Sequence, residues 1–141
     1  MIDTIIAQCT PSGTGALALI RLSGPKALFI ASKAAYLSSK KILSEVATHT
    51  IHHGWIVDIN HVKIDEVLFF VMHGPKTFTG EHTVEISCHN NPFIIQGIID
   101  TALDFDRMAG CLGSCFGLGL IGNVLRLLAL FVRLFHGEFA G

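Results

Sequence analysis

Gly74-Pro75-Lys76-Thr77-Phe78-Thr79-Gly80-Glu81-His82-Thr83-Val84-Glu85-Ile86 sets a turn-rich polar loop directly ahead of a strand that carries a glutamate. Gly74-Pro75 closes the apolar run before it, and Thr79-Gly80 offers a backbone position open to positive φ. Val84 and Ile86 alternate with Glu85 at the strand period of two, so Glu85 points away from both. A loop so rich in Gly, Thr and Pro, feeding a carboxylate on a strand, reads as a site. Lys76 and Glu81 within it read as solvated loop charges.

Upstream of this loop the chain alternates short β-rich runs with polar turns. Thr4 to Cys9 and Ala16 to Leu22 read as two strands around the turn Thr10-Pro11-Ser12-Gly13-Thr14-Gly15, the second interrupted only by Arg21. Ser23-Gly24-Pro25 opens a helix whose apolar face is Ala27, Leu28, Ile30, Ala31 and Ala34, with its end expected near Tyr36 to Ser39. His49 to Val57 and Val62 to Met72 read as neighbouring strands. Downstream, Asn90-Asn91-Pro92 signals a helix entry, and Phe93, Ile94, Ile98 and Ile99 continue at helical spacing to about Asp104. The expected fold is therefore α+β: a small mixed sheet with two helices over residues 1–104, followed by an apolar Gly/Leu-rich helical tail over 105–141.

A chain of 141 residues holds one domain, or a domain with an appendage, and buries roughly two-thirds of its unfolded surface. Its net charge of −1 supplies no basic field for wrapping nucleic acid, so strong RNA binding by this chain alone is not expected. Cys9, Cys88, Cys111 and Cys115 show no framework spacing, and Met1-Ile2-Asp3-Thr4 lacks the basic start of a secretory signal. Reduced thiols and a cytoplasmic location are expected.

Composition shifts abruptly in the tail. Met108 to Phe135 carries five glycines, many leucines and phenylalanines, and only Arg126 and Arg133 as charges. Its apolar length approaches the roughly 20 residues that cross a bilayer, and Gly113 and Gly117 form a small-xxx-small pair. Against a membrane span, Arg126 inside the run would cost about 2.5 to 3.5 kcal/mol at mid-bilayer. The other reading is a buried, glycine-weakened helix. A shifted reading frame also produces such a change, and would leave recognisable sequence downstream in another frame.

Three blocks in order carry a resemblance. Asp3-Thr4-Ile5-Ile6-Ala7 with Thr10-Pro11-Ser12-Gly13, then Ile20-Arg21-Leu22-Ser23-Gly24-Pro25, then the Gly74 to Ile86 stretch with His89, resemble the N-terminal domain of the MnmE (TrmE) family of tRNA modification GTPases. The resemblance spans residues 3 to about 104. It implies a fold similar to folate-dependent aminomethyltransferases, binding of 5-formyltetrahydrofolate or a related tetrahydrofolate, and a homodimer contact. It also implies wobble-uridine C5 (carboxymethyl)aminomethylation of tRNA alongside an MnmG-type flavoprotein. By resemblance, Arg21 and Glu85 fall on two folate-contacting positions. The chemistry agrees: a guanidinium pairs with a carboxylate or carbonyl, and a carboxylate accepts from the 2-amino group and ring N–H of a pterin.

Departures from the family pattern are equally specific. The family's GHGG turn reads Cys88-His89-Asn90-Asn91, which loses two glycines and puts close backbone approach in question. Gly137-Glu138-Phe139-Ala140 faintly resembles the family's PGEFT but lies too far from His89, and the lysine that follows it in the family, a third folate contact, has no counterpart. Gly117 to Val124 imitates a phosphate loop, yet Asn123-Val124 stand where lysine and serine or threonine must hold phosphate and magnesium, so no GTP site is expected. The family is a tRNA-modifying GTPase, but without a GTPase domain this truncated chain is not expected to be active alone. The alternative reading is a non-catalytic structural remnant, tethered to a membrane through 108–135.

Other candidates are weaker. On a strand His49 and His53 would share a face opposite His52, with no nearby carboxylate or thiol to complete a metal set. Cys111 and Cys115 lie one helical turn apart without further ligands. Cys88 and His89 are strand neighbours and face opposite ways, so they do not form a nucleophile and base. No metal site is expected.

Overall fold

The computed structural model describes residues 3–111. The Gly/Leu-rich segment after Cys111, with its membrane-span, phosphate-loop and Cys115 readings, lies outside the described residues. Among the described residues no helix is long and apolar enough to cross a membrane.

Six strands form one sheet: β1 (Ile5–Gln8), β2 (Leu17–Ser23), β3 (Ala35–Leu37), β4 (Thr50–Val57), β5 (Lys63–Met72) and β6 (Thr83–His89). Helix α1 (Ala27–Ala34) joins β2 to β3, and α2 (Pro92–Cys111) follows β6. The strand order is β1-β2-β6-β5-β4-β3. Every pairing is antiparallel, where the sequence suggested a mixed sheet. The reason is the path of α1, which carries the chain from β2 to the far edge rather than to a place beside it. The α+β class and the two helices are as expected.

Two boundaries differ from the sequence reading. Helix α1 stops at Ala34, and Ala35–Leu37 pairs with Gly54 to Ile56 instead of continuing the helix. A Cβ built on Gly54 would lie 2.5 Å from the Tyr36 carbonyl oxygen, so only glycine allows β3 this approach. Helix α2 runs past Asp104 to Cys111. Pro92 occupies its first position, and the Asn91 side-chain oxygen accepts from the Phe93 N–H at 2.9 Å, satisfying one of the donors a helix start leaves open.

Both helices pack on one face of the sheet. That face presents Ile20 and Leu22 of β2, Val84 and Ile86 of β6, and Phe69 and Val71 of β5, all buried. Ala27, Ala31 and Ala34 turn a smooth small-residue side of α1 to the core, with Ile30 between them, and Ile95, Ile98 and Ala102 do the same from α2. Burying six such strand side chains removes about 1.5 to 3 kcal/mol each from contact with water, the main gain that fixes the register. The opposite face carries no helix in the described residues.

Candidate functional site

The uncovered face is ordered in rows by the ladder. One row runs Ala7, Arg21, Glu85, Phe70, Ile51 across β1, β2, β6, β5 and β4. The next runs Leu19, Ser87, Leu68, His53. The two residues singled out from the sequence are therefore directly opposed partners on adjacent strands, although 64 positions separate them in the chain.

They meet as an ion pair. Arg21 Nε donates to Glu85 Oε1 at 2.7 Å, and Arg21 Nη2 lies 2.5 Å from the same oxygen. The side chains are only 22% and 17% exposed, which sets the pair between a surface and a buried salt bridge. Both contacts fall on one carboxylate oxygen rather than forking over two. Glu85 Oε2 is left without a hydrogen bond among the described residues. The sequence reading named Arg21 and Glu85 as two ligand-contacting residues; the fold adds that Arg21 Nε and Nη2 engage Glu85.

Above the pair sits the loop between β5 and β6. Its Gly74-Pro75 peptide is cis, and Gly80 has φ of +75° with open space around it, so this glycine answers a backbone demand as expected and not a packing one. The loop is tied down on several sides. Ser23 Oγ donates to Thr79 Oγ1 at 2.7 Å and lies 3.2 Å from Glu81 Oε2. Thr77 Oγ1 donates to the Glu81 carbonyl at 2.7 Å, and Gly74 N–H donates to His82 Nδ1 at 3.2 Å. Glu81, read from sequence as a solvated charge, is thus part of the anchor, and Ser23 and Thr83 are buried beneath it. Pro25, Gly74, Gly80, Glu81 and His82 line a shallow cavity of about 240 Å³ beside this network. The loop brings the Phe78 ring to 5.3 Å from the Arg21 guanidinium carbon, a cation–π contact.

Cys9 lies near the same row, its thiol pushed up by burial, with Arg21 opposing that shift and Glu85 adding to it. Cys88 faces the opposite way and is fully buried; burial, then the Asp65 carboxylate, pushes its thiol up to about 11. His89 is exposed and bonds Asp65 through its backbone N–H at 2.9 Å and Nδ1 at 2.8 Å, so Cys88 and His89 do not meet. The turn that lacks the two glycines closes differently. Neither Asn90 nor Asn91 adopts positive φ; Asn90 Nδ2 donates to the Gly13 and Gly15 carbonyls at 2.9 and 3.1 Å, pinning the β1–β2 turn.

The histidines do not converge. His49 precedes β4 with φ of 60° and its Nε2 meets the Lys76 carbonyl, His52 meets Thr50 on the covered side, and His53 pairs with Glu66 at 2.6 Å. Glu66, on β5, is a carboxylate neighbour that reading the β4 sequence alone missed. Beside it Lys63 lies over Trp55 at 3.9 Å and Tyr36 at 6.0 Å. Among the described residues no group of three His, Cys, Asp or Glu is placed to hold a metal ion.

Comparison with known proteins adds the family. Residues 4–111 match the family model described as GTP-binding protein TrmE N-terminus. The chain is 53% identical over 97 residues to the tRNA modification GTPase MnmE of Christiangramia forsetii, covering 69% of this chain and 20% of that protein. It is 49% identical over 102 residues to the protein of the same name from Enterococcus faecalis, and 44% over 102 residues to that of Bacillus subtilis, each covering 72% of this chain and 22% of the relative. The chain thus spans about a fifth of the length of the curated relatives it matches. With the three sequence blocks in order and the family model matched from β1 to the end of α2, the chain belongs to the TrmE N-terminal family, the N-terminal domain of tRNA modification GTPase MnmE.

Proposed function

We propose that this domain binds a reduced folate, 5-formyltetrahydrofolate or a related tetrahydrofolate, on the uncovered face of the sheet. Glu85 accepts from the 2-amino group and ring N–H of the pterin, and Arg21 holds the Glu85 carboxylate in place. The observation that carries this reading is the lopsided ion pair: both Arg21 contacts fall on Oε1, and Oε2 is left to a ligand. A carboxylate with a spare oxygen, flanked by Phe70 in the same row and Phe78 above, suits a planar ring edged with N–H donors.

Among the described residues the face supplies one wall and no roof. Leu17, Ile51 and Leu68 stand exposed on it, which supports a homodimer in which a second copy closes over the ligand. In the longer proteins of the family, this site would serve one-carbon chemistry at C5 of the wobble uridine of tRNA, in the cytoplasm, with an MnmG-type flavoprotein as partner. No GTP site is assigned to these 141 residues.

Isothermal titration of the 141-residue chain with 5-formyltetrahydrofolate, alongside sedimentation equilibrium, tests the reading. Binding that Glu85→Ala lowers at least about tenfold is expected, since a charge-assisted contact is worth roughly 1.5 to 3 kcal/mol. A folded chain that takes up no ligand at millimolar concentration overturns it, as does an E85A variant that binds unchanged.

A further inference from the structure

Phe78 is the most anomalous apolar residue near the site. It is 81% exposed, yet the loop that carries it is fastened by the Ser23, Thr77, Thr79, Glu81 and His82 hydrogen bonds already described. His49 Nε2 adds a further tie at the Lys76 carbonyl, 3.1 Å away. The fastened loop holds the ring over Arg21 while leaving most of its surface open. Rigid presentation of an exposed aromatic ring, beside a carboxylate with a free oxygen, is the arrangement of a binding anchor.

We infer that Phe78 is a specificity-determining residue that stacks on the face of the heteroaromatic ring whose edge Glu85 holds. The inference rests on the reading of Glu85 as the ring's acceptor and adds the second dimension of recognition: Glu85 reads the edge, Phe78 reads the face. Its cation–π contact with Arg21 sets the ring's place over the pair, so the guanidinium orients Glu85 from one side and Phe78 from another. A ligand of this kind presents a planar ring with adjacent N–H donors on its edge.

Titrations of the full chain with 5-formyltetrahydrofolate, as wild type, Phe78→Ala, Phe78→Leu and Phe78→Trp, separate the possibilities. Wild-type binding with roughly tenfold weakening in F78A, similar weakening in F78L, and retained affinity in F78W is the expected pattern, in line with the cost of removing an aromatic stacking partner. Ligand quenching of the indole fluorescence introduced in F78W is expected as well, and a fold defect would not produce it. Melting temperatures are expected to stay level, because the ring is exposed. If wild type and F78A bind equally, the stacking role is overturned while the Glu85 reading stands. If F78L binds as wild type does, the residue is apolar cover and the aromatic role is overturned. If the wild type does not bind, both readings fall together.

Discussion

The two faces of this sheet obey different rules. The covered face is continuous hydrocarbon from Ile20 through Ile86 to Phe69, roofed by the alanines of α1 and the isoleucines of α2. The uncovered face interleaves apolar residues with two polar clusters, the Arg21–Glu85 ion pair under Phe78 and the His53–Glu66 contact beside Trp55 and Lys63. One face is where the buried core resides and the other is where the polar pairs stand. The same ladder produces both, because successive residues of each strand are dealt to opposite sides.

If that division is right, truncation on the covered face is the most costly change. Phe69→Ala is expected to lose about 3 to 5 kcal/mol in urea denaturation, since the ring is wholly buried. A loss below about 1 kcal/mol would erase the distinction between the faces.

Cys88 gives the same contrast in alkaline solution. Its thiol is raised from 9.0 to about 11 in the folded chain, so between those values the unfolded state sheds its proton first and stability falls as pH rises. The stabilisation is whole below the ordinary thiol range and is lost on the way to the raised value, with an upper limit of about 2.7 kcal/mol. Denaturation at pH 8 and pH 10.5 should show a steeper loss in wild type than in Cys88→Ala; equal slopes would contradict the assigned burial effect.

On the uncovered face the effects shrink. A double-mutant cycle with Arg21→Met and Glu85→Gln is expected to give a coupling of about 1 kcal/mol, the upper end for pairs still touched by water. Near-zero coupling would mean that the pair does not hold Glu85 in place. Smallest of all, Leu68→Thr, 41% exposed, should alter stability by no more than about 0.5 kcal/mol in the monomer. A larger loss that grows with protein concentration would show instead that a second copy rests on this face.

Much of the covered face was legible beforehand because alternation in β2, β5 and β6 marks which residues turn inward. The loop at Gly74 and the positive φ of Gly80 were legible from turn chemistry. The end of α1 was not: Ala35-Tyr36-Leu37 is as apolar as the helix before it, and only Gly54, seventeen or more positions on, makes it a strand. Nor was the Arg21–Glu85 contact legible. Resemblance picked out each residue, but their meeting depends on β6 entering the sheet between β2 and β5, a long-range pairing that local pattern does not encode. The exposure of Phe78 was hidden for a similar reason, since it follows from anchors contributed by Ser23 and His49 on other elements.

The position of β6 has a consequence for biosynthesis. It is the last strand of the sheet to leave the ribosome, and it occupies a central place, hydrogen-bonded to β2 on one side and β5 on the other. Until residue 89 has emerged, the nascent chain holds two incomplete hairpin groups, β1–β2 and β3–β4–β5, each with an unsatisfied edge that invites wrong partners. The strand that bears Glu85 is also the one that makes the two halves a single body, so no translation product that stops short of it presents half a site on a finished scaffold.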